Sequence, residues 1–160
     1  MRITLRDYLS EKDPENIYLI VKDTGFFKEE EAVMAKELAL SELSKPGEYL
    51  FFVAEYGDKS VGYACYGNIP CSLGGYELYW IAVIREFQHH GTGKILLAAV
   101  EKAVRELGGR KIFVGTSGTD KYTPTRAFYE KNAYMKCAVL EDYFDLGDDE
   151  VIYEKVLSVR

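Results

Sequence analysis

The chain has 160 residues, a net charge of −6, 48% hydrophobic residues and 29% charged residues, an ordinary balance for a globular protein of one domain with a sizeable core. No apolar run approaches the roughly 20 residues that a membrane helix needs, which argues against a membrane protein, and the acidic balance argues against nucleic acid as a general partner. The three cysteines, Cys65, Cys71 and Cys137, are odd in number and widely spaced, which fits reduced thiols rather than a disulfide framework or a zinc site.

Met1-Arg2-Ile3-Thr4-Leu5-Arg6-Asp7 has no signal-peptide apolar core, so a cytoplasmic location is expected. Residues 2–8 alternate enough for a first strand. Asp13-Pro14 supplies a helix N-cap and then proline at the first helical position, with the helix running to about Lys22 and Ile17, Ile20 and Val21 on one face. Thr24-Gly25-Phe26-Phe27 breaks it. Residues 29–43 predict a second helix, with Val33, Leu38 or Glu37, Leu40 and Leu43 at near-helical spacing; Lys45-Pro46-Gly47 ends it. Residues 49–55 and 60–66, joined by Tyr56-Gly57-Asp58-Lys59, predict a hairpin, and residues 68–75 a loop.

Residues 76–84 are aromatic and β-branched and read as a strand. After Gln88-His89-His90-Gly91-Thr92-Gly93-Lys94 comes an amphipathic helix over 92–107, capped by Gly108-Gly109. A strand feeding a glycine-containing turn and a helix N-terminus makes an anion cradle, because the first helical N–H groups lack intrahelical partners and the helix dipole is positive there. Gly91 and Gly93 are expected to supply positive φ and close ligand approach. A P-loop reading fails twice: Gln88 stands where its first glycine belongs and Ile95 where its hydroxyl belongs. A dinucleotide fingerprint fails at Leu96, which occupies its third glycine position.

Residues 111–115 predict a short strand parallel to the central one. Thr123-Pro124 opens a helix reaching about Asn132, and residues 134–140 and 150–157 predict two closing strands joined by an acidic loop over 144–149. Repeats, linkers and a second domain are not evident, so residues 1–160 read as a single domain.

Ala82-Val83 followed by Gln88-x-x-Gly91-x-Gly93, together with Phe128-Tyr129-Glu130-Lys131, resembles the acetyl-CoA-binding pattern of the GNAT superfamily of acyl-CoA-dependent N-acetyltransferases. The resemblance implies an α/β fold with a mixed, mostly antiparallel sheet, a central parallel pair splayed around the cofactor, and helices on both faces. It also implies acetyl-CoA as acyl donor, Gln88, His89, His90, Gly91, Thr92 and Gly93 as the pyrophosphate loop with Lys94 adding charge, and the backbone of Ile81, Ala82 and Val83 as the pantetheine contact.

Acetyl transfer to an amine needs a group to take the amine proton and one to protonate the leaving thiolate. The resemblance places Glu77 as base and Tyr129 as acid; a phenol is protonated at neutral pH and can donate. Tyr122 stands where the family usually has asparagine, and Ala133 where it usually has glycine. The end of the next strand, Gly115-Thr116-Ser117-Gly118, has no carboxylate, which favours Glu77. His89 and His90 lack the partners of a metal site, and no metal is expected. Phe26, Phe27, Tyr143 and Phe144 either line the acceptor pocket or cover the sheet edge. The rival function is a non-catalytic acyl-CoA-binding module. The acceptor is open among a protein N-terminus or lysine, a polyamine, an amino acid and an aminoglycoside, and a homodimer is compatible with the sequence.

Overall fold

The computed structural model describes residues 2–158. In chain order they form β1 (Thr4–Arg6), α1 (Asp13–Thr24), α2 (Glu29–Ser44), β2 (Leu50–Tyr56), β3 (Lys59–Asn68), β4 (Gly75–Val83), α3 (Thr92–Glu106), β5 (Lys111–Ser117), α4 (Thr123–Lys131), β6 (Met135–Asp145) and β7 (Asp148–Val156). The strands make one mixed sheet in the order β1-β2-β3-β4-β5-β7-β6. β4 and β5 run parallel, because α3 carries the chain back between them. The β1–β2, β2–β3, β5–β7 and β6–β7 pairs are antiparallel. The fold class is thus the α/β arrangement that the element order predicts. Among the described residues, no helix is long and apolar enough to cross a membrane.

The chain divides into two compact units, Met1–Gly67 with Trp80–Ala103, and Asn68–Tyr79 with Val104–Arg160. In the first, Ile17, Ile20 and Val21 of α1 are buried as their spacing predicts. Asp13 is the first residue of α1 rather than its flanking cap, a place taken by Lys12. Its buried carboxylate accepts the Ser10 N–H at 2.6 Å and the Arg6 guanidinium at 2.7 and 2.9 Å. Desolvation pushes the Asp13 pKa up, but these hydrogen bonds outweigh it and hold the pKa below the usual carboxylate range.

The expected apolar face of α2 is not the buried one. Ala32, Ala35, Ala39 and Glu42 are buried, whereas Val33 and Leu40 are exposed. α2 packs against α1, and the residues it buries are mostly small. Glu42 is buried because its carboxylate accepts the N–H groups of Gly47, Glu48 and Tyr49. At Gly62 of β3 a Cβ would stand 2.9 Å from the Ala82 carbonyl oxygen, so the closeness of the β4 backbone demands glycine there.

In the second unit the β4–β5 ladder covers only Gly75↔Lys111, Tyr76↔Ile112 and Glu77↔Phe113. β5 pairs with β7 over its whole length, from Lys111↔Val156 to Ser117↔Glu150. The acidic loop expected over 144–149 is instead the tip of a long hairpin, with Leu146 and Gly147 between β6 and β7 and Gly147 at φ +78. Its acidic residues serve the backbone. Asp149 accepts the Asp142 N–H at 2.9 Å, Asp142 the Gly147 N–H at 2.8 Å, and Asp145 the Leu146 N–H at 2.7 Å.

Candidate active site

In the first unit the end of β4 is anchored before the chain turns into α3. The Ile84 N–H donates to the Val61 carbonyl at 2.9 Å. Arg85 donates its backbone N–H to Asp23 Oδ2 at 2.7 Å and its Nε to the Asp23 carbonyl at 2.6 Å. The Gln88 side-chain amide donates to the Val83 carbonyl at 2.8 Å, closing the loop on the strand it left. Ile81 is half-buried, while Ala82 and Val83 are buried.

His89 then takes φ +63 and Gly91 φ +84. The Gly91 carbonyl accepts the Ile95 N–H at 3.0 Å and so opens α3. A Cβ at Gly91 would meet nothing within 4 Å, so the left-handed backbone, not crowding, calls for glycine. Gly93 does not have the positive φ expected of it: it lies in the first turn of α3. That turn presents the N–H groups of Thr92, Gly93 and Lys94, the donors that a helix start leaves without intrahelical acceptors. His89, His90, Gly91 and Lys94 are exposed. Thr92 is only 1% exposed, and its Oγ1 has no hydrogen-bond partner. A buried hydroxyl without a partner costs about 1–3 kcal/mol, and this one belongs to the first residue of the helix whose N-terminal N–H groups form the cradle. The donor set therefore fits a diphosphate.

In the second unit Glu77 faces a cavity of about 310 Å³. Glu150 of β7 faces the same space, Ile69, Phe113 and Ile152 form apolar walls, and Val114 and Gly115 complete the lining. The register explains the gathering. Phe113 sits beside Glu77, Gly115 beside Ile152, and Ser117 beside Glu150, and alternate residues of a strand share one face. A Cβ at Gly115 would collide with Glu150 Oε1, so the missing side chain is the seat of that carboxylate. Burial, and then the neighbouring Glu150 charge, push the Glu77 pKa up; burial alone does the same to Glu150. Among the described residues, neither carboxylate has a cation or a hydrogen-bond donor beside it.

Glu150 is the residue that the sequence reading missed. The sequence of β5 ends without a carboxylate, but β7 lays one over Gly115 from the neighbouring strand. The available signal was the alternation Glu150-x-Ile152-x-Glu154 opposite a glycine, and it becomes legible only once the register is known.

Tyr129 lies on the other face. Its ring packs 5.8 Å from Tyr134 and 5.9 Å from Tyr153, and Tyr153 points away from the Glu150–Ile152 side of β7. Burial alone pushes its phenol well above the ordinary tyrosine pKa, so it is protonated throughout the neutral range. The cavity thus brings Glu77 together with Glu150 and not with Tyr129.

Tyr122 precedes α4 as its flanking residue. Phe27 packs on Trp80 of β4, 5.3 Å between rings, whereas Tyr143 and Phe144 form an exposed pair on β6. Cys65, Cys71 and Cys137 are free, and burial pushes the Cys65 thiol far above its usual pKa, which leaves it inert. A larger cavity of about 490 Å³, lined by Leu73, Gly74, Gly108, Arg110 and Ser158, contains none of the expected site residues. Among the described residues, no group of three His, Cys, Asp or Glu could hold a metal ion.

The sequence model of the acetyltransferase (GNAT) family matches residues 7–134. A solved GNAT-family structure from Desulfovibrio desulfuricans is 42% identical, with 98% of this chain and 100% of that one covered and a TM-score of 0.96. The fold is also similar to an aminoglycoside 6′-N-acetyltransferase complexed with coenzyme A, at 22% identity, 100% and 99% coverage and a TM-score of 0.74. It is similar as well to the PaiA N-acetyltransferase of Thermoplasma acidophilum in complex with coenzyme A, at 22% identity, 98% and 99% coverage and a TM-score of 0.74. No curated protein matches.

Proposed function

Because the chain belongs to the GNAT acetyltransferase family, we propose that it transfers an acetyl group from acetyl-CoA to a primary amine by direct attack, with residues 1–160 acting as one N-acetyltransferase domain. The turn from Gln88 through His89 and His90 to Gly91, with the first turn of α3 (Thr92, Gly93, Lys94), receives the pyrophosphate. Thr92 Oγ1 donates to it and Lys94 adds positive charge. The backbone groups of Ile81, Ala82 and Val83 hold the pantetheine arm. The two similar structures that contain coenzyme A support this assignment.

The observation that carries the catalytic reading is the Glu77 carboxylate, facing a cavity in which no cation or donor among the described residues satisfies it. An alkylammonium has no lone pair. Glu77 takes its proton, directly or through water, and the neutral nitrogen attacks the thioester carbonyl. A C–N bond forms and the C–S bond breaks. Of the two protons that the ammonium loses on becoming an amide, one leaves through Glu77 to solvent. The other replaces, by way of bulk water, the proton that the Tyr129 phenol gives to the CoA thiolate from the face of the sheet opposite Glu77. Burial suits both residues: it makes Glu77 a stronger base than an exposed glutamate and keeps Tyr129 protonated.

The test has two steps. CoA or acetyl-CoA should raise the melting temperature, by about 2.7 kcal/mol of stabilisation at a hundred times its Kd, with ATP and NAD doing much less. A panel of amines with acetyl-CoA should then release thiol. Stabilisation by ATP and none by CoA would overturn the reading, and CoA binding with no amine acetylated would make the chain a binding module instead.

A further inference from the structure

We propose that Glu150 selects the acceptor: the cavity takes a small amine carrying a second positive charge, with one nitrogen presented to Glu77 and the other held at Glu150. This rests on the acetyl-transfer reading above and names the acceptor class for it.

The transfer needs one base, yet the cavity holds two carboxylates. Carboxylates that a protein buries are satisfied by a neighbour, as Asp13 and Glu42 are in this chain, whereas Glu77 and Glu150 are half-buried and left to whatever enters the cavity. Glu77 and Glu150 share a space walled by Ile69, Phe113 and Ile152, with no cation among the described residues beside either. Two like charges in such surroundings repel one another, and a guest with two ammonium groups relieves both at once, where a monoamine relieves one. Glu150 is also deliberately seated. Any residue but glycine at 115 would push its carboxylate aside, and Gly115 lies in the middle of β5, where glycine weakens a strand unless close packing calls for it. The volume of about 310 Å³ is at the small end of ligand sites, and it suits a short alkyl chain whose methylenes lie against the apolar walls.

The two nitrogens then have different fates. The one at Glu77 loses its proton, forms the C–N bond and releases CoA thiol. The one at Glu150 stays an ammonium, bound by a charge-assisted hydrogen bond. Glu150 therefore acts on binding and Glu77 on the chemical step.

The experiment compares 1,4-diaminobutane and 1,5-diaminopentane with butylamine and pentylamine as acceptors, following thiol release from acetyl-CoA. CoA-induced thermal stabilisation is measured on the same samples. The wild-type kcat/KM for each diamine should exceed that for its monoamine by about 10–100-fold, the range of one charge-assisted contact. Glu150→Gln should bring the ratio to within a few-fold of one, through KM for the diamine more than through kcat. Gly115→Ala displaces the same carboxylate without changing it and should lower the ratio likewise, which provides a second route if Glu150→Gln folds poorly. Equal use of diamines and monoamines by the wild type would overturn the proposal, as would a ratio that survives both substitutions. CoA stabilisation with no turnover of any of the four amines, or turnover of a lysine peptide alone, would also overturn it while leaving acetyl-CoA binding in place. Absence of CoA stabilisation would instead overturn the underlying reading.

Discussion

The rings of Tyr129 and Tyr153 lie 5.9 Å apart, and Tyr153 donates its hydroxyl to Glu130 at 2.9 Å, whereas nothing but burial shifts the Tyr129 phenol. One tyrosine is tied down and its neighbour keeps an uncommitted hydroxyl on a ring held by aromatic packing. Tyr129→Phe keeps that packing and removes only the donor. The variant should melt close to the wild type and bind CoA normally, while kcat falls about 10²–10⁴-fold, the usual contribution of a positioned acid. Raising the pH should not restore the rate, because the lost function is donation to the thiolate. The check is a pH–rate profile beside a thermal melt; an unchanged kcat would reduce Tyr129 to a packing residue.

Glu77 should fail in the opposite sense. Glu77→Gln removes the base, so the rate should drop at neutral pH and recover partly at high pH, where more of the amine is already neutral. In the wild type the acidic limb of kcat/KM should lie above the ordinary glutamate range, because burial and then Glu150 raise the Glu77 pKa. Removing the Glu150 charge should move the Glu77 titration to lower pH, which carboxyl ¹³C NMR reads without any turnover. The stability effect follows the same sign. A carboxyl whose pKa is higher folded than unfolded contributes stability below its unfolded value and loses it as pH rises through the folded value. Glu77→Gln should therefore raise the melting temperature relative to wild type at neutral pH, and the gain should disappear on acidification below the ordinary glutamate range. A gain independent of pH would point to packing rather than charge.

The parts of this fold legible in the sequence are those in which one short stretch determines its own structure. The glycine turn into α3 is such a stretch, and so is the α3 crossover that makes β4 and β5 parallel. What escaped is set by partners distant in sequence. Val33 and Leu40 look like a core face, yet the face of α2 that the fold buries carries Ala32, Ala35 and Ala39. Asp142, Asp145 and Asp149 read as a solvated loop because the N–H groups they accept belong to a hairpin tip that no local pattern announces. Glu150 is the instance at the candidate site: its place over Gly115 depends on the β5–β7 register, which no spacing within either strand encodes.

The two glycines of the cradle should now behave differently. Gly91 is held at φ +84, where any other residue is strained by roughly 1–2 kcal/mol. Gly91→Ala should lower the melting temperature and weaken CoA binding together. Gly93 is helical, where alanine is favoured by about 1 kcal/mol. Gly93→Ala should hold or raise the melting temperature, so any loss of CoA affinity reports contact between the added methyl and the ligand. Calorimetric titration of CoA into both variants separates the cases, and unchanged affinity in both would place the pyrophosphate elsewhere.

Thr92 gives the sharpest test of that cradle. Its hydroxyl is buried at the first turn of α3 with no partner, so it burdens the protein without ligand, and the proposed reading gives it a phosphate oxygen as partner. Valine has nearly the same shape and the same β-branching. Thr92→Val should therefore leave the unliganded protein as stable as the wild type or more so, since replacing an unsatisfied buried hydroxyl with a methyl removes a desolvation penalty. The same change should cost affinity for CoA, because a hydrogen bond to a charged phosphate oxygen contributes about 1.5–3 kcal/mol, which is about 10–100-fold in Kd. Thr92→Ser, which keeps the donor, should retain most of the affinity. Melting curves without ligand and CoA titrations of the three proteins decide it. A stabilised Thr92→Val variant with wild-type CoA affinity would show that the hydroxyl faces no ligand, and the anion site would then rest on backbone donors alone.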